Sequence, residues 1–409
     1  MESFDHVIVG AGVAADAAAR GIREVDPDAT ILVLGPEPDE PYDRPPLTKD
    51  LWRPDPPASI DLGTAAATGV TVRTGRAVTA LDTAARTVTT DDGTTIGYER
   101  LVLATGGTPR TLTPEPVAGV GTFRSLEDYR RVRVLADAGN HVVVVGGGFV
   151  GLELACGLAG SAARVTLVIT QDRPAEHLVP QVLVDRLEEG LRSRGVEILT
   201  HRRAVTAEPG APGTGPVLVL DDSSWVESDA IVVGLGVVPA DGLARDAGLD
   251  VDGGIVVDET LRTSDPYVRA AGDVARYPDP VLGLVRIEHV DNAHATGRSA
   301  GRANAAERLG QPAEPHTHTP FFYSDWFDDG WEAVGTLDMR LTVVEDWAPG
   351  TPGAAGVVYH VSDDGALRGV MLWNVWDRAA RATELLAELG SPGSVPDPAA
   401  LRGRITTTD

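Results

Sequence analysis

Lysine and cysteine are nearly missing from this 409-residue chain: Lys49 is the only lysine among 35 basic residues, and Cys156 is the only cysteine. One cysteine excludes an intramolecular disulfide, and with it a dithiol–disulfide redox centre. Its setting, an apolar helix-like run, reads as small-residue packing. Positive charge is scarce overall, with 60 acidic residues and a net charge of −25. Such a chain has no basic footprint for nucleic acid or an anionic membrane, and neither is expected as a partner. No apolar run is long enough to span a bilayer, and Met1–Asp5 carry no basic stretch ahead of an apolar one. The expected location is cytoplasmic. No metal site is expected.

Glycine, in contrast, is plentiful and placed. Val7-Ile8-Val9-Gly10-Ala11-Gly12-Val13-Ala14-Ala15 runs from a β-branched strand pattern into an Ala-rich helix pattern. Val142–Val145 followed by Gly146-Gly147-Gly148-Phe149-Val150-Gly151 does the same before Leu152-Glu153-Leu154-Ala155. A lone glycine fingerprint is weak, but both copies stand between strand and helix, the context that gives the motif meaning. The glycines permit a tight turn and let backbone N–H groups approach a pyrophosphate. Two copies imply two dinucleotides, the pair that an electron-transferring flavoenzyme uses.

The two halves echo each other. Each fingerprint is followed by a helix and a second strand, at Thr30–Leu34 and Arg164–Ile169. Each half closes on another apolar strand, at Leu101–Leu103 and Ile231–Val233. Strand–helix–strand order with buried strands predicts α/β architecture with parallel sheets and right-handed crossovers. The reading is one Rossmann-like domain (1–112 and 240–315) with a second inserted in it (113–239). From about His316 aromatics become dense, and strands at Val357–Val361 and Gly369–Trp373 precede a helix near Arg378–Leu389. That predicts a small α+β C-terminal domain (316–409), with Ser391–Asp409 frayed.

The chain resembles the flavoprotein reductase family that contains ferredoxin and rubredoxin reductases and apoptosis-inducing factor. Pro41-Tyr42-Asp43-Arg44-Pro45-Pro46-Leu47-Thr48-Lys49 is similar to the family's P-Y-x-R-P-P-L-S-K. Ala104-Thr105-Gly106 with Pro109-Arg110 is similar to A-T-G-x-x-P-R, and Ala270–Ala275 to A-A-G-D-x-A. Arg286–His289, Phe322–Asp325 and Gly369–Asn374 resemble segments of apoptosis-inducing factor. The likeness covers nearly the whole chain, and the order and spacing of the set make it specific.

The resemblance implies tightly bound FAD in the first domain and NADH or NADPH in the second. On the FAD side it carries Gly10, Gly12, Ala14, Ala15, Glu37, Arg44, Lys49, Val78, Ala104, Thr105, Gly106, Arg110, Gly272, Asp273, Glu288, His289 and Tyr323. On the nicotinamide side it carries Gly146, Gly148, Phe149, Val150, Gly151, Glu153 and Gly236. Lys49 and Glu153 are the expected catalytic pair beside the flavin edge, since a buried lysine calls for a carboxylate partner. Each residue also has a bland account. Arg44 could be a surface ion pair, Asp273 a helix cap, Glu288 and His289 caps, and Tyr323 a core aromatic.

Two positions depart from the family. Pro36, followed by Glu37, stands where an acid for the FAD ribose is usual, and Ile169 stands where the nicotinamide half has its own. NADH preference is then unsupported, and Arg173 becomes a candidate for a 2′-phosphate. The implied activity is hydride transfer from NAD(P)H to FAD, with electrons passed on to a small iron–sulfur carrier or another acceptor. Arg298 and Arg302 are the candidate docking residues. Two alternatives stay open: an FAD-dependent tailoring oxidase on a small organic substrate, and a redox-sensing interaction protein. A homodimer also stays open.

Overall fold

The computed structural model describes residues 1–407, so the last two residues of the expected frayed tail lie outside the described residues. The chain divides into two compact units. The first comprises Met1–Pro45, Ala58–Thr108 and Val237–Pro320; the second comprises Pro46–Pro57, Pro109–Gly236 and everything from Phe321. The short segment bearing Lys49 thus groups with the second fingerprint and the C-terminal residues.

In the first unit, strand β1 (Glu2–Val9) leads into helix α1 (Val13–Val25), then β2 (Ile31–Leu34) and, after a hairpin excursion, β3 (Thr95–Leu103). β1 pairs in parallel with both β2 and β3, and Val268–Ala270 adds to β3 in parallel. Their inner residues are fully buried, as continuous Val/Ile/Leu runs covered on both faces should be. The Ala-rich sequence of α1 serves close packing. A Cβ on Gly297 or Gly301 of the helix Val290–Arg308 would meet the carbonyl of Ala14 at 2.4 Å or that of Ala18 at 2.1 Å. Only small residues permit that approach.

The second unit repeats the plan. β4 (His141–Val145), α2 (Phe149–Ala159), β5 (Arg164–Val168) and β6 (Ala230–Val233) belong to a five-stranded sheet, wholly parallel, with Glu197–Leu199 and Val120–Thr122 at its edges. The aromatic-rich stretch forms β7 (Phe321–Trp326), the edge of a five-stranded antiparallel sheet backed by the helix Ala379–Leu389. The buried rings of Trp326, Trp331 and Trp373 pack in its core.

The expected fraying is corrected for most of the tail. Val395, Leu401 and Ile405 are buried, and Pro398–Leu401 form a 3₁₀ turn capped by Asp397. Three widely spaced apolar anchors among Pro, Gly and Thr hold it, and composition hid them. Among the described residues no helix is long and apolar enough to cross a membrane. No group of three or more His, Cys, Asp or Glu side chains among them could hold a metal ion.

Candidate functional sites in the two units

In the first unit the glycine turn is built for close approach. Gly10 has φ +118°, and a Cβ there would meet the Ala104 carbonyl oxygen at 2.1 Å. The first fingerprint and the Ala104-Thr105-Gly106 turn are therefore in backbone contact. Gly12 is the N-cap of α1, and no side chain caps that helix end. The helix dipole and first N–H groups face the turn, as anion binding requires. Arg44 lies beside it, its guanidinium nitrogens 3.8–3.9 Å from where a Gly12 Cβ would sit. Arg44 also pairs with Glu37 at 2.5 Å, and the Tyr42 hydroxyl donates to the same carboxylate. Arg44 thus makes an ion pair and also lies beside the glycine turn.

Other residues converge on the same place. Gly272 has φ +73°, and a Cβ on it would meet Cβ of Ala14 at 2.9 Å, so the Gly272-Asp273 turn abuts α1. Asp273 lies inside a 3₁₀ turn whose cap is Ala271, so it is not a capping residue. Thr105 donates its hydroxyl to the Ala240 carbonyl at 2.8 Å. His289 occupies the N-cap position of Val290–Arg308 without a capping side-chain bond, and burial lowers its pKa to about 4. Glu288 is paired with Arg286 at 2.6 Å. Ala15 is fully buried, and Val78 starts the strand Val78–Asp82, packed against the core.

The second unit carries the other fingerprint in the same form. Gly146 has φ +122°, and a Cβ there would meet the Gly234 carbonyl oxygen at 2.3 Å. Gly148 caps α2, again with no capping side chain, and nothing lies within 4 Å of its Cβ position. Gly151 comes one turn in, and Val150 is 43% exposed. Gly236 has φ +82°, and its carbonyl accepts the Arg110 N–H at 2.9 Å.

α2 also carries the charged pair. Lys49 Nζ lies 2.6 Å from Glu153 Oε2, with both side chains 6% exposed. The approach depends on Gly157, one turn beyond Glu153. A Cβ there would meet Cγ of Trp52 at 2.8 Å, so glycine lets the Pro46–Pro57 segment lie against the helix. Trp52 in turn donates its indole N–H to the Leu47 carbonyl at 2.7 Å. Two hydroxyls complete the carboxylate's surroundings: Thr48 donates to Oε2 and Ser324 to Oε1, each at 2.6 Å. The Tyr323 ring centroid is 5.4 Å from Lys49 Nζ, within cation–π range. Asp325, next after Ser324, pairs with Arg53 at 3.6 Å, and burial raises its carboxyl pKa.

Thr48 and Ser324 are the site residues that sequence reasoning missed. The signal was present: each adjoins a residue already singled out, and Thr48 keeps a hydroxyl where the family pattern has serine. Arg173 is engaged by Asp185 and Glu188, each at 2.6 Å. Arg298 and Arg302 both pair with Glu24, at 2.7 and 2.9 Å. Ile169 is 1% exposed, and both its side chain and the Gln171 amide line the glycine turn, Ile169 Cγ2 3.1 Å and Gln171 Oε1 2.9 Å from a Gly147 Cβ position. Cys156 is buried, and burial pushes its thiol pKa far up, so no reactive thiolate stands there.

A family model for pyridine nucleotide-disulphide oxidoreductases matches residues 4–297. The chain belongs to this family. It is an FAD-dependent NAD(P)H oxidoreductase of the branch without a redox disulfide. It is 36% identical over 409 residues to the ferredoxin–NAD(+) reductase component of the anthranilate 1,2-dioxygenase system of Burkholderia cepacia, covering 97% of each chain. It is 32% identical to apoptosis-inducing factor 1 of Dictyostelium discoideum, covering 94% of this chain and 79% of that protein. Among solved structures, the covalent putidaredoxin reductase–putidaredoxin complex contains a chain that matches with TM-score 0.81 and 30% identity, covering 95% of this chain and 93% of that one. The uncapped helix ends and the glycine turns that a Cβ would fill fit FAD and a nicotinamide dinucleotide on this chain's own geometry.

Proposed function

We propose that this protein takes hydride from NADH or NADPH to FAD and passes the electrons singly to a small iron–sulfur protein of the ferredoxin class. FAD supplies the exchange between two-electron and one-electron chemistry. Gly10, Gly12 and Arg44 hold its pyrophosphate, Asp273 accepts from its ribityl hydroxyls, and Thr105 and Gly106 bring bare backbone against it. Gly146, Gly148 and the start of α2 hold the pyrophosphate of the nicotinamide dinucleotide. Glu153 accepts from the carboxamide, and the Lys49 ammonium stabilises negative charge at the flavin edge. No side chain need donate a proton to substrate.

The observation that carries this reading is the buried Lys49–Glu153 pair on the helix opened by the second fingerprint. A buried pair costs desolvation, and placing one beside a dinucleotide turn gives that cost a purpose. Two assignments belong to the same proposal: the first unit as the FAD-binding body and a cytoplasmic location.

The test is anaerobic stopped-flow reduction of the purified protein by NADH and NADPH, then turnover with a ferredoxin. The expected preparation is yellow, with about one FAD per chain, and is reduced within seconds. Folded, colourless protein that takes up no added FAD would refute the reading. Tight nicotinamide binding with very slow reduction would instead favour a redox-sensing interaction protein, the reading that the likeness to apoptosis-inducing factor supports.

A further inference from the structure

We infer that Ser324 and Thr48 are positioning residues: their hydroxyls fix the rotation of the Glu153 carboxylate, so that one oxygen lone pair is aimed for the nicotinamide carboxamide. The inference rests on the hydride-transfer reading above and adds the groups that make Glu153 work in it.

An ion pair alone would not orient this carboxylate. Lys49 Nζ lies 2.6 Å from Oε2, and the terminal torsion of a glutamate is broad and weakly restrained. A carboxylate held at one oxygen can swing the other. Here the Thr48 hydroxyl donates to Oε2, beside the Lys49 ammonium, and the Ser324 hydroxyl donates to Oε1, each at 2.6 Å. One hydroxyl on each oxygen leaves Oε1 with acceptor capacity for a further N–H. Charge-assisted hydrogen bonds of this length are the strong ones, and they are buried with Glu153 at 5% exposure and Ser324 at 1%.

The way Ser324 arrives argues for placement rather than accident. Phe322 packs on Phe149, with ring centroids 5.8 Å apart, and Ser324 meets Glu153. Two residues along β7 span about 6.6 Å, and four along α2 span about 6.0 Å. The strand therefore runs along the helix with matched spacing, and the Phe322–Phe149 contact sets the register that delivers the hydroxyl. A slip of one residue would turn Ser324 to the other face. The intervening Tyr323 places its ring by Lys49, so β7 restrains both members of the pair. Thr48 and Lys49 are consecutive, so the two donors on Oε2 come from one short segment.

The experiment is anaerobic stopped-flow reduction of the FAD-loaded protein, read as limiting rate and nicotinamide dissociation constant separately. Ser324→Ala and Thr48→Val should each lower the limiting rate at least tenfold, with the dissociation constant within threefold and FAD content unchanged. Ser324→Thr should restore the rate. In a Glu153→Gln background Ser324→Ala should add nothing further, and in thermal unfolding its cost should shrink in that background too. Ser324→Cys, a near-isosteric change with a weak donor, keeps the question answerable if the alanine variant folds poorly. It should fall between Ser324→Thr and Ser324→Ala. A merely structural serine would cost stability and FAD retention while leaving the limiting rate unchanged. That result, or an equal slowing in the Glu153→Gln background, overturns the inference alone. An unmodified protein that neither nicotinamide reduces overturns the functional reading and this inference with it.

Discussion

Removing the lysine from the buried pair, Lys49→Met, isolates what that contact contributes. At 2.6 Å and an effective dielectric near 20, the gross attraction is about 6 kcal/mol. Most of it offsets the desolvation of two groups that are each only 6% exposed. The loss on removing one partner is therefore the cost of leaving a carboxylate buried without its counter-charge, about 3–5 kcal/mol. Thr48 and Ser324 still donate to that carboxylate, which places the expectation near 3 kcal/mol. At about 1–2 °C per kcal/mol for a chain of this length, the melting temperature should fall by about 3–6 °C. Lys49→Met/Glu153→Gln should recover much of that fall, because a neutral amide needs no counter-charge. The assay is thermal unfolding of the FAD-loaded protein followed by circular dichroism, on the four members of the double-mutant cycle. A single variant melting within about 1 °C of the unmodified protein would refute the reasoning. So would a double variant no more stable than the single one. The flavin of Lys49→Met should also be reduced more slowly by NAD(P)H and have a lower potential.

Gly10→Ala should abolish FAD retention, since its Cβ would meet the Ala104 carbonyl oxygen at 2.1 Å with φ at +118°; the absorbance ratio of flavin to protein after gel filtration is the check. NADH should be preferred over NADPH by less than about tenfold in kcat/KM, or about 1.4 kcal/mol, because an amide at Gln171 does not repel a 2′-phosphate. Gln171→Glu should raise that preference, and an unmodified preference above about a hundredfold would contradict the assignment. Stability should fall as the pH drops from about 6.5 towards 4. The folded-state pKa values of His6, His289 and His316 are lowered from 6.5 to about 4 by burial, so the unfolded chain binds protons there that the folded chain refuses. The limiting slope is about 1.4 kcal/mol per pH unit for each histidine. His6→Leu should flatten the acid limb of a denaturation-versus-pH series, and an unchanged limb would show that His6 does not contribute to it.

Much of the fold was legible because strand and helix periods, glycine turns and hydrophobic runs are local properties. Gly10 and Gly146 declared themselves by standing between a β-branched run and an apolar helix. The Lys49–Glu153 contact spans more than a hundred residues and came from the family likeness, not from spacing. Thr48 and Ser324 stayed hidden because a hydroxyl in a strand or turn has many uses, and only the folded geometry shows which carboxylate it serves. The ion partners of Arg173, Arg298 and Arg302 stayed hidden for a related reason. With 60 acidic residues in the chain, an arginine in the sequence says nothing of the acid that will neutralise it. The tail beyond Ser391 was misjudged because average composition outweighed three isolated anchors.

The single lysine has a practical consequence for anyone probing this protein chemically. An amine-directed reagent has one side-chain target in the whole chain, and in the folded state that amine is closed off against Glu153. Lysine-to-lysine cross-linking would therefore be blind to a bound partner, and carboxylate-directed reagents are the suitable choice on so acidic a surface. The same closure makes slow acylation of Lys49 a clock. Its rate counts how often the Pro46–Pro57 segment lifts from α2, reporting the breathing of the site without any nucleotide or electron acceptor present.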